Sequence, residues 1–271
     1  MIEILQYDFV RNALFAGILV SLSTSLLGVY LILRRLSLIG DGLAHAAFGG
    51  IAVGFLFNIN PLLTALVFAS LGSLGINRLM SKAKVYGDSA IALVLSAGMA
   101  LAIVIIGYVR GFNANLFSYL FGSILSVSGS DLLMLGIVTF AVVGFIVINY
   151  RSLLCATFNE DVARIKGIRV NLLSSALIVL TACAIVVAIR AVGILLVTGL
   201  LVIPPLTALL VAQSFRRAMV YSVLFSIFSM LLGIIVAFLL DLPPGGMIVL
   251  SMIFVFLAVL FAKSYLRPRT S

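Results

Sequence analysis

The sequence predicts an all-α polytopic membrane protein with about nine transmembrane helices, and three observations predict it. Of 271 residues, 64% are hydrophobic and 9% charged, with a mean hydropathy of +1.35, more apolar surface than a soluble fold of this size can bury. Apolar runs of about 16 to 22 residues recur along the chain, each near the length a helix needs to cross a bilayer. The basic residues concentrate in every second gap between those runs. So little length remains outside the spans that residues 1–271 read as a single transmembrane domain, with function confined to the spans and their short loops.

The first run, 12–33, follows a segment that contains Glu3 and Asp8 and lacks the basic start of a cleavable leader, so the run itself is expected to direct insertion. Runs 36–57, 61–79 and 89–109 come next, followed by a piece at 116–125 that is too short to cross and is expected at the interface or against the bundle. Runs 132–150 and 172–189 bracket the longest polar loop, and run 192–212 contains Pro204-Pro205. The last two, 219–240 and 247–262, are joined by Asp241-Leu242-Pro243-Pro244-Gly245-Gly246, a turn-rich structural loop. With nine alternating spans, one set of loops holds 14 of the 17 Lys and Arg, and the opposite set holds only Arg11, Arg110 and Arg190. That asymmetry predicts an outside N-terminus and a cytoplasmic C-terminus in the cell (plasma or inner) membrane.

The formal charge of +9 does not indicate nucleic acid, because the cations are scattered through loops and form no soluble basic face. They read as topology signals beside membrane lipid. Cys155 and Cys183 lie far apart, suggest no disulfide framework, and read as small packing residues.

The second run carries the residues with chemistry. Asp41 and His45, the only histidine, stand at i and i+4 and share one helix face. Ionisable groups at membrane depth are costly and point by default to function. An imidazole and a carboxylate one turn apart suit a borderline divalent cation such as zinc or manganese. The blander reading is a hydrogen-bonded histidine with a helix-entry aspartate close behind Arg35.

The long polar loop contains Asn159-Glu160-Asp161-Val162-Ala163-Arg164-Ile165-Lys166-Gly167, with a capping Asn, acids in the first turn, bases in the last and a terminal Gly. This pattern predicts a short capped helix. It serves either as an amphipathic connector or as a handle for a cytoplasmic partner. Pro204 and Pro205 remove two backbone donors inside a span and predict a helix break, either a discontinuity on a pathway or a packing kink. Gly50 and Gly54 form GxxxG, and Ser96 and Ala100 a small-xxx-small pair, both predicting close helix contacts. A faint echo pairs residues 35–41 with residues 84–88, each set ending in Gly-Asp before a span.

No phosphate-binding loop, dinucleotide fingerprint, cysteine-rich zinc pattern or nucleophile elbow occurs in the sequence. No enzymatic activity is therefore expected, no permanently bound cofactor, and any ATPase or capture domain must be another chain. An intramembrane enzyme would need a nucleophile or second acid beside the Asp–His pair, and none accompanies it.

The stretch Arg34-Arg35-Leu36-Ser37-Leu38-Ile39-Gly40-Asp41-Gly42-Leu43-Ala44-His45-Ala46 closely resembles the motif of the permease subunits of bacterial ABC importers for zinc, manganese or iron. The resemblance extends to Arg110-Gly111, Tyr119-Leu120-Phe121-Gly122, the Asn159–Gly167 loop and the span from Val192 through Pro204-Pro205. It departs at Gly42 and Phe48. The family implies a type II ABC importer fold and a homodimer of two permease copies. It also implies cytoplasmic ABC ATPase subunits docked on Asn159, Glu160, Asp161, Arg164, Lys166 and Gly167, and an extracytoplasmic metal-binding protein. Asp41 and His45 match its metal-coordinating pair. One chain brings only two ligands, so two copies meeting on an axis would supply two Asp and two His, and two carboxylates to balance one divalent charge. The alternative in the same broad class is a secondary or proton-coupled carrier in which Asp41 and His45 relay protons without an ATPase.

Overall fold

The computed structural model describes residues 8–109 and 127–266. The piece at 116–125, with Arg110-Gly111 and Tyr119-Leu120-Phe121-Gly122, lies outside them, as do Glu3, Arg267 and Arg269. Among the described residues nine helices are long and apolar enough to cross a membrane: α1 Asp8–Leu33, α2 Ile39–Leu56, α3 Pro61–Ser81, α4 Gly87–Tyr108, α5 Gly129–Ile148, α8 Val170–Val192, α9 Ile194–Val211, α10 Phe215–Leu240 and α11 Pro244–Leu266. Two short helices, α6 Tyr150–Phe158 and α7 Glu160–Ile165, occupy the long polar loop.

Several helices start two to four residues before their apolar runs, because polar caps decide where a helix begins and lipid decides only where it must be apolar. At α5, Ser128 Oγ accepts from the Asp131 N–H at 3.3 Å while the Asp131 carboxylate accepts from the Ser128 N–H at 3.1 Å, a reciprocal capping box. At α10, Ser214 Oγ accepts from the Arg217 N–H at 3.3 Å. Pro244 opens α11, where a missing donor costs nothing, so the turn-rich loop shrinks to Asp241–Pro243, with Asp241 in the left-handed region at φ 53°. A positive φ at Gly193, 82°, lets α8 stop and α9 begin one residue later.

Helix α2 packs between α3 and α4 and against α8 and α9, while α1 lies among α5, α8, α9 and α10, and α11 closes on α9 and α10. Glycines set these approaches. A Cβ on Gly50 would stand 2.7 Å from the Thr64 carbonyl oxygen and one on Gly54 2.8 Å from Pro61 Cα, so the predicted GxxxG is the α2–α3 contact. The α2–α4 crossing rests instead on Gly49 and Gly98. Among the described residues Ser96 and Ala100 turn to the exposed side of α4 and pack against no other helix, a correction that follows from Gly98, Ala102 and Ile106 taking the buried face. Large apolar side chains such as Leu71, Phe140, Phe228 and Phe254 remain exposed on α3, α5, α10 and α11, as a bundle bathed in lipid requires.

The predicted break at Pro204 and Pro205 is also corrected. Helix α9 runs unbroken from Ile194 to Val211 with both prolines buried. Pro205 cannot donate to the Leu201 carbonyl one turn back, and that freed oxygen lies against α1, where a Cβ on Gly28 would come within 2.0 Å of it. Glycine at position 28 lets α1 cover the carbonyl that proline released, so the double proline serves helix packing. The faint echo has a backbone counterpart: Arg35 and Lys84 both take positive φ, 58° and 52°, just before the paired helices α2 and α4.

Candidate metal site and docking segment

Helix α1 ends at Leu33, and the backbone reverses so tightly that the Leu36 N–H reaches back to the Leu31 carbonyl at 2.8 Å. Helix α2 therefore starts beside the end of α1, with Asp41 in its first turn and His45 one turn deeper. No side chain caps α2. Its backbone is gripped all round by glycine contacts: Gly40 against the Leu201 side chain, Gly42 against Ile91, Gly49 against Gly98, and Gly50 and Gly54 against α3. In turn, a Cβ on Gly98 would stand 2.5 Å from the His45 carbonyl oxygen. The residue that holds the imidazole is thus positioned by direct backbone contact with α4.

The two side chains differ in exposure, 45% for Asp41 and 15% for His45. His45 Nε2 lies 3.9 Å from Asp41 Oδ1, beyond hydrogen-bond range, and among the described residues the buried His45 Nδ1 has no hydrogen-bond partner. The nitrogen that faces Asp41 is Nε2, so a cation bridging the pair would be held by His45 Nε2 and Asp41 Oδ1. Donors about 2.1 Å from a tetrahedral ion stand about 3.4 Å apart, so closing the pair by about half an ångström would let one ion bridge it. Among the described residues Asp41 has no cation in ion-pair reach other than His45, and no group of three or more His, Cys, Asp or Glu could hold a metal. Within the described part of one chain, two protein ligands is the whole set.

The short capped helix forms as the sequence predicts. Asn159 caps α7, its side chain accepting from the Val162 N–H at 3.1 Å, and Gly167 ends the segment at φ 77°. Asp161, Arg164, Ile165 and Lys166 point outward, with Ile165 85% exposed. Glu160 stays about half exposed but reaches back to the end of α1, where its Oε1 accepts from Arg34 Nη2 at 2.6 Å. Asp41 and His45 are brought together; Pro204 and Pro205 are buried on α9, with Pro205 against Gly28 of α1. Sequence reasoning missed Arg34, Ser174 and Phe215, which tie Phe158 and Glu160 to the end of α1 and the start of α8. Arg34 reads in the sequence as a topology cation, and no local pattern links it to a glutamate 126 positions away.

The chain was compared with known proteins. A family model described as the ABC 3 transport family matches residues 6–263. The "Manganese transport system membrane protein MntC" of Listeria monocytogenes is 31% identical over 260 residues, covering 96% of this chain and 92% of that protein. The "High-affinity zinc uptake system membrane protein ZnuB" of Haemophilus influenzae is 29% identical over 261 residues, covering 96% of this chain and all of the relative. The solved structure of PsaBC from Streptococcus pneumoniae in complex with Fab superimposes with a TM-score of 0.85 at 32% identity, over 96% of this chain and 94% of that one. Nine apolar helices, the superposition and the full-length family match agree: the chain is a multi-pass plasma-membrane protein and belongs to the ABC 3 transport family.

Proposed function

We propose that this chain is the single-domain membrane permease subunit of an ATP-driven importer for a divalent transition metal, with metal passing Asp41 and His45. The observation that carries this reading is the largely enclosed His45 imidazole on α2, whose Nε2 lies 3.9 Å from the Asp41 carboxylate. Zinc and manganese, named for its relatives, both accept imidazole and carboxylate, and iron would accept the same donors. Two ligands leave most of a coordination shell open. A second copy on a two-fold axis would supply the other Asp41 and His45, and the paired carboxylates would neutralise the ion in the low-dielectric core.

The N-terminus then faces outside, an extracytoplasmic binding protein delivers the metal, and two ATPase chains act at the cytoplasmic face through residues Asn159 to Gly167. Within that segment Asp161, Arg164 and Lys166 present the charged contacts, and Asn159 and Gly167 fix its ends. Charge reversal at Asp161 is expected to weaken ATPase co-purification several-fold without changing permease yield. Unchanged association and coupling would make α7 a connector.

The importer reading is tested by purifying the chain with its neighbouring ATPase and binding-protein partners and measuring ATP hydrolysis against added Zn²⁺, Mn²⁺ and Fe²⁺. A stoichiometric ATPase stimulated by one metal supports it. Metal flux driven by a proton gradient in liposomes holding the permease alone would replace it with the carrier reading.

A further inference from the structure

Arginines placed at the inner ends of spans for topology ordinarily reach into water and headgroups. Arg34 does not. Its side chain is 13% exposed, Nη2 donates to Glu160 Oε1 at 2.6 Å, and Nη1 donates to Ser174 Oγ at 2.7 Å. Glu160 is the first residue of α7, and Ser174 lies in the first turns of α8. Glu160 Oε2 also lies 3.8 Å from Arg164 Nη2, so the docking helix is braced along its own length.

One turn before Arg34, on the same face of α1, Tyr30 packs edge-on against Phe215 with ring centres 5.1 Å apart. Phe215 in turn meets Phe158 at 6.1 Å, in the residue just before the Asn159 cap. The last turns of α1 therefore hold the docking segment on both sides of that cap, directly at Glu160 and through Phe215 at Phe158. Six residues after Arg34 the chain is already in the first turn of α2, at Gly40 and Asp41. Next to Ser174, Ser175 Oγ accepts from Asn77 Nδ2 of α3 at 2.5 Å. Two successive serines of α8 thus bind the ends of the two helices that flank α2 in the chain.

We infer that Arg34 is a positioning residue that couples the docking segment to the metal-bearing helix. A displacement of α7 pulls on Glu160, passes through Arg34 to the end of α1, and reaches α2 over a linker of five residues, 34–38, too short to absorb it. The inference rests on the importer reading and deepens it. The Glu160 end of the pair is about half exposed, but the guanidinium is 13% exposed and bonded to two elements at once, so it ties α7 and the start of α8 to the end of α1 more firmly than a lone surface ion pair would.

The test uses the assembled importer in proteoliposomes, with metal uptake and ATP hydrolysis measured in the same vesicles, using Zn²⁺ or Mn²⁺, whichever stimulates the wild type. Arg34→Gln and Glu160→Gln are each expected to lower metal ions moved per ATP roughly five-fold or more, and in Arg34→Gln, which lies outside the docking segment, the ATPase still co-purifies at wild-type stoichiometry. The exchanged pair Arg34→Glu/Glu160→Arg is expected to regain most of the ratio. If Arg34→Gln fails to fold, Glu160→Gln breaks the same bond from its more exposed side. An unchanged ratio in the folded variants, a parallel fall of uptake and hydrolysis, or no recovery in the exchanged pair overturns the inference. A wild-type chain that neither binds an ATPase nor couples to one overturns the importer reading instead, so the two failures are distinct.

Discussion

Replacing His45 by Ala or Asp41 by Asn is expected to abolish metal uptake, by more than about 100-fold, since even residues that only support metal ligands cost about 10–100-fold when lost. The protein should still fold and assemble. His45→Ala removes a side chain whose Nδ1 has no partner to strand, and the α2 backbone is held by glycine contacts that neither substitution touches. Asp41→Asn keeps the shape of the side chain and removes one charge, so a defect there reports ligation or charge balance and not packing. The measurement is radiometal uptake beside permease yield, ATPase co-purification and basal hydrolysis. Wild-type uptake in both variants would reduce the pair to a helix-entry acid and a buried imidazole, and the proposed pathway through α2 would fall.

Gly98→Ala is the second large effect expected, and it reaches the same site from the other side. The added methyl would stand 2.5 Å from the His45 carbonyl oxygen and 2.7 Å from Ala46 Cα, distances that real Cβ atoms do not show. Both obstacles are backbone, so no side chain can swing aside; α2 and α4 must separate by about half an ångström or more, and overpacking of this kind costs about 1–3 kcal/mol. Misplacing reactive groups by about 1 Å can cost about 100-fold in rate, so uptake is expected to fall further than thermal stability in detergent. Gly107→Ala on the same helix is the control, because a Cβ there meets nothing within 4 Å and the helix gains propensity. Equal uptake in the two variants would show that the α2–α4 crossing does not set the metal geometry.

Both effects bear on what could be read before the fold was known. Asp41 and His45 were legible because their relation is local: four positions along a helix place two side chains on one face whatever surrounds them. The short capped helix was legible for the same reason, since Asn159, the acids after it and Gly167 act within a few residues of one another. Helix starts were misjudged where a cap lay outside the apolar run, as at Ser128 and Ser214.

The prolines failed for a different reason. Removing a donor frees a carbonyl in any context, but whether the helix then breaks depends on what covers that carbonyl, and here it is Gly28, 173 positions before Leu201. Glu160 shows the same limit. From sequence it belongs with Asp161 on a docking surface, and only the path of α1 past the end of α8 turns it inward to Arg34.

The sequence alone determined the membrane class, the nine spans, the placing of Asp41 and His45 on one helix face and the short capped helix after Asn159, because each follows from composition or from neighbours along a helix. Tertiary structure alone decided which glycines carry the helix crossings, that α9 stays whole, and which cation holds the docking segment. Those depend on contacts between residues far apart in the chain, where no periodicity links the partners and only packing brings them together.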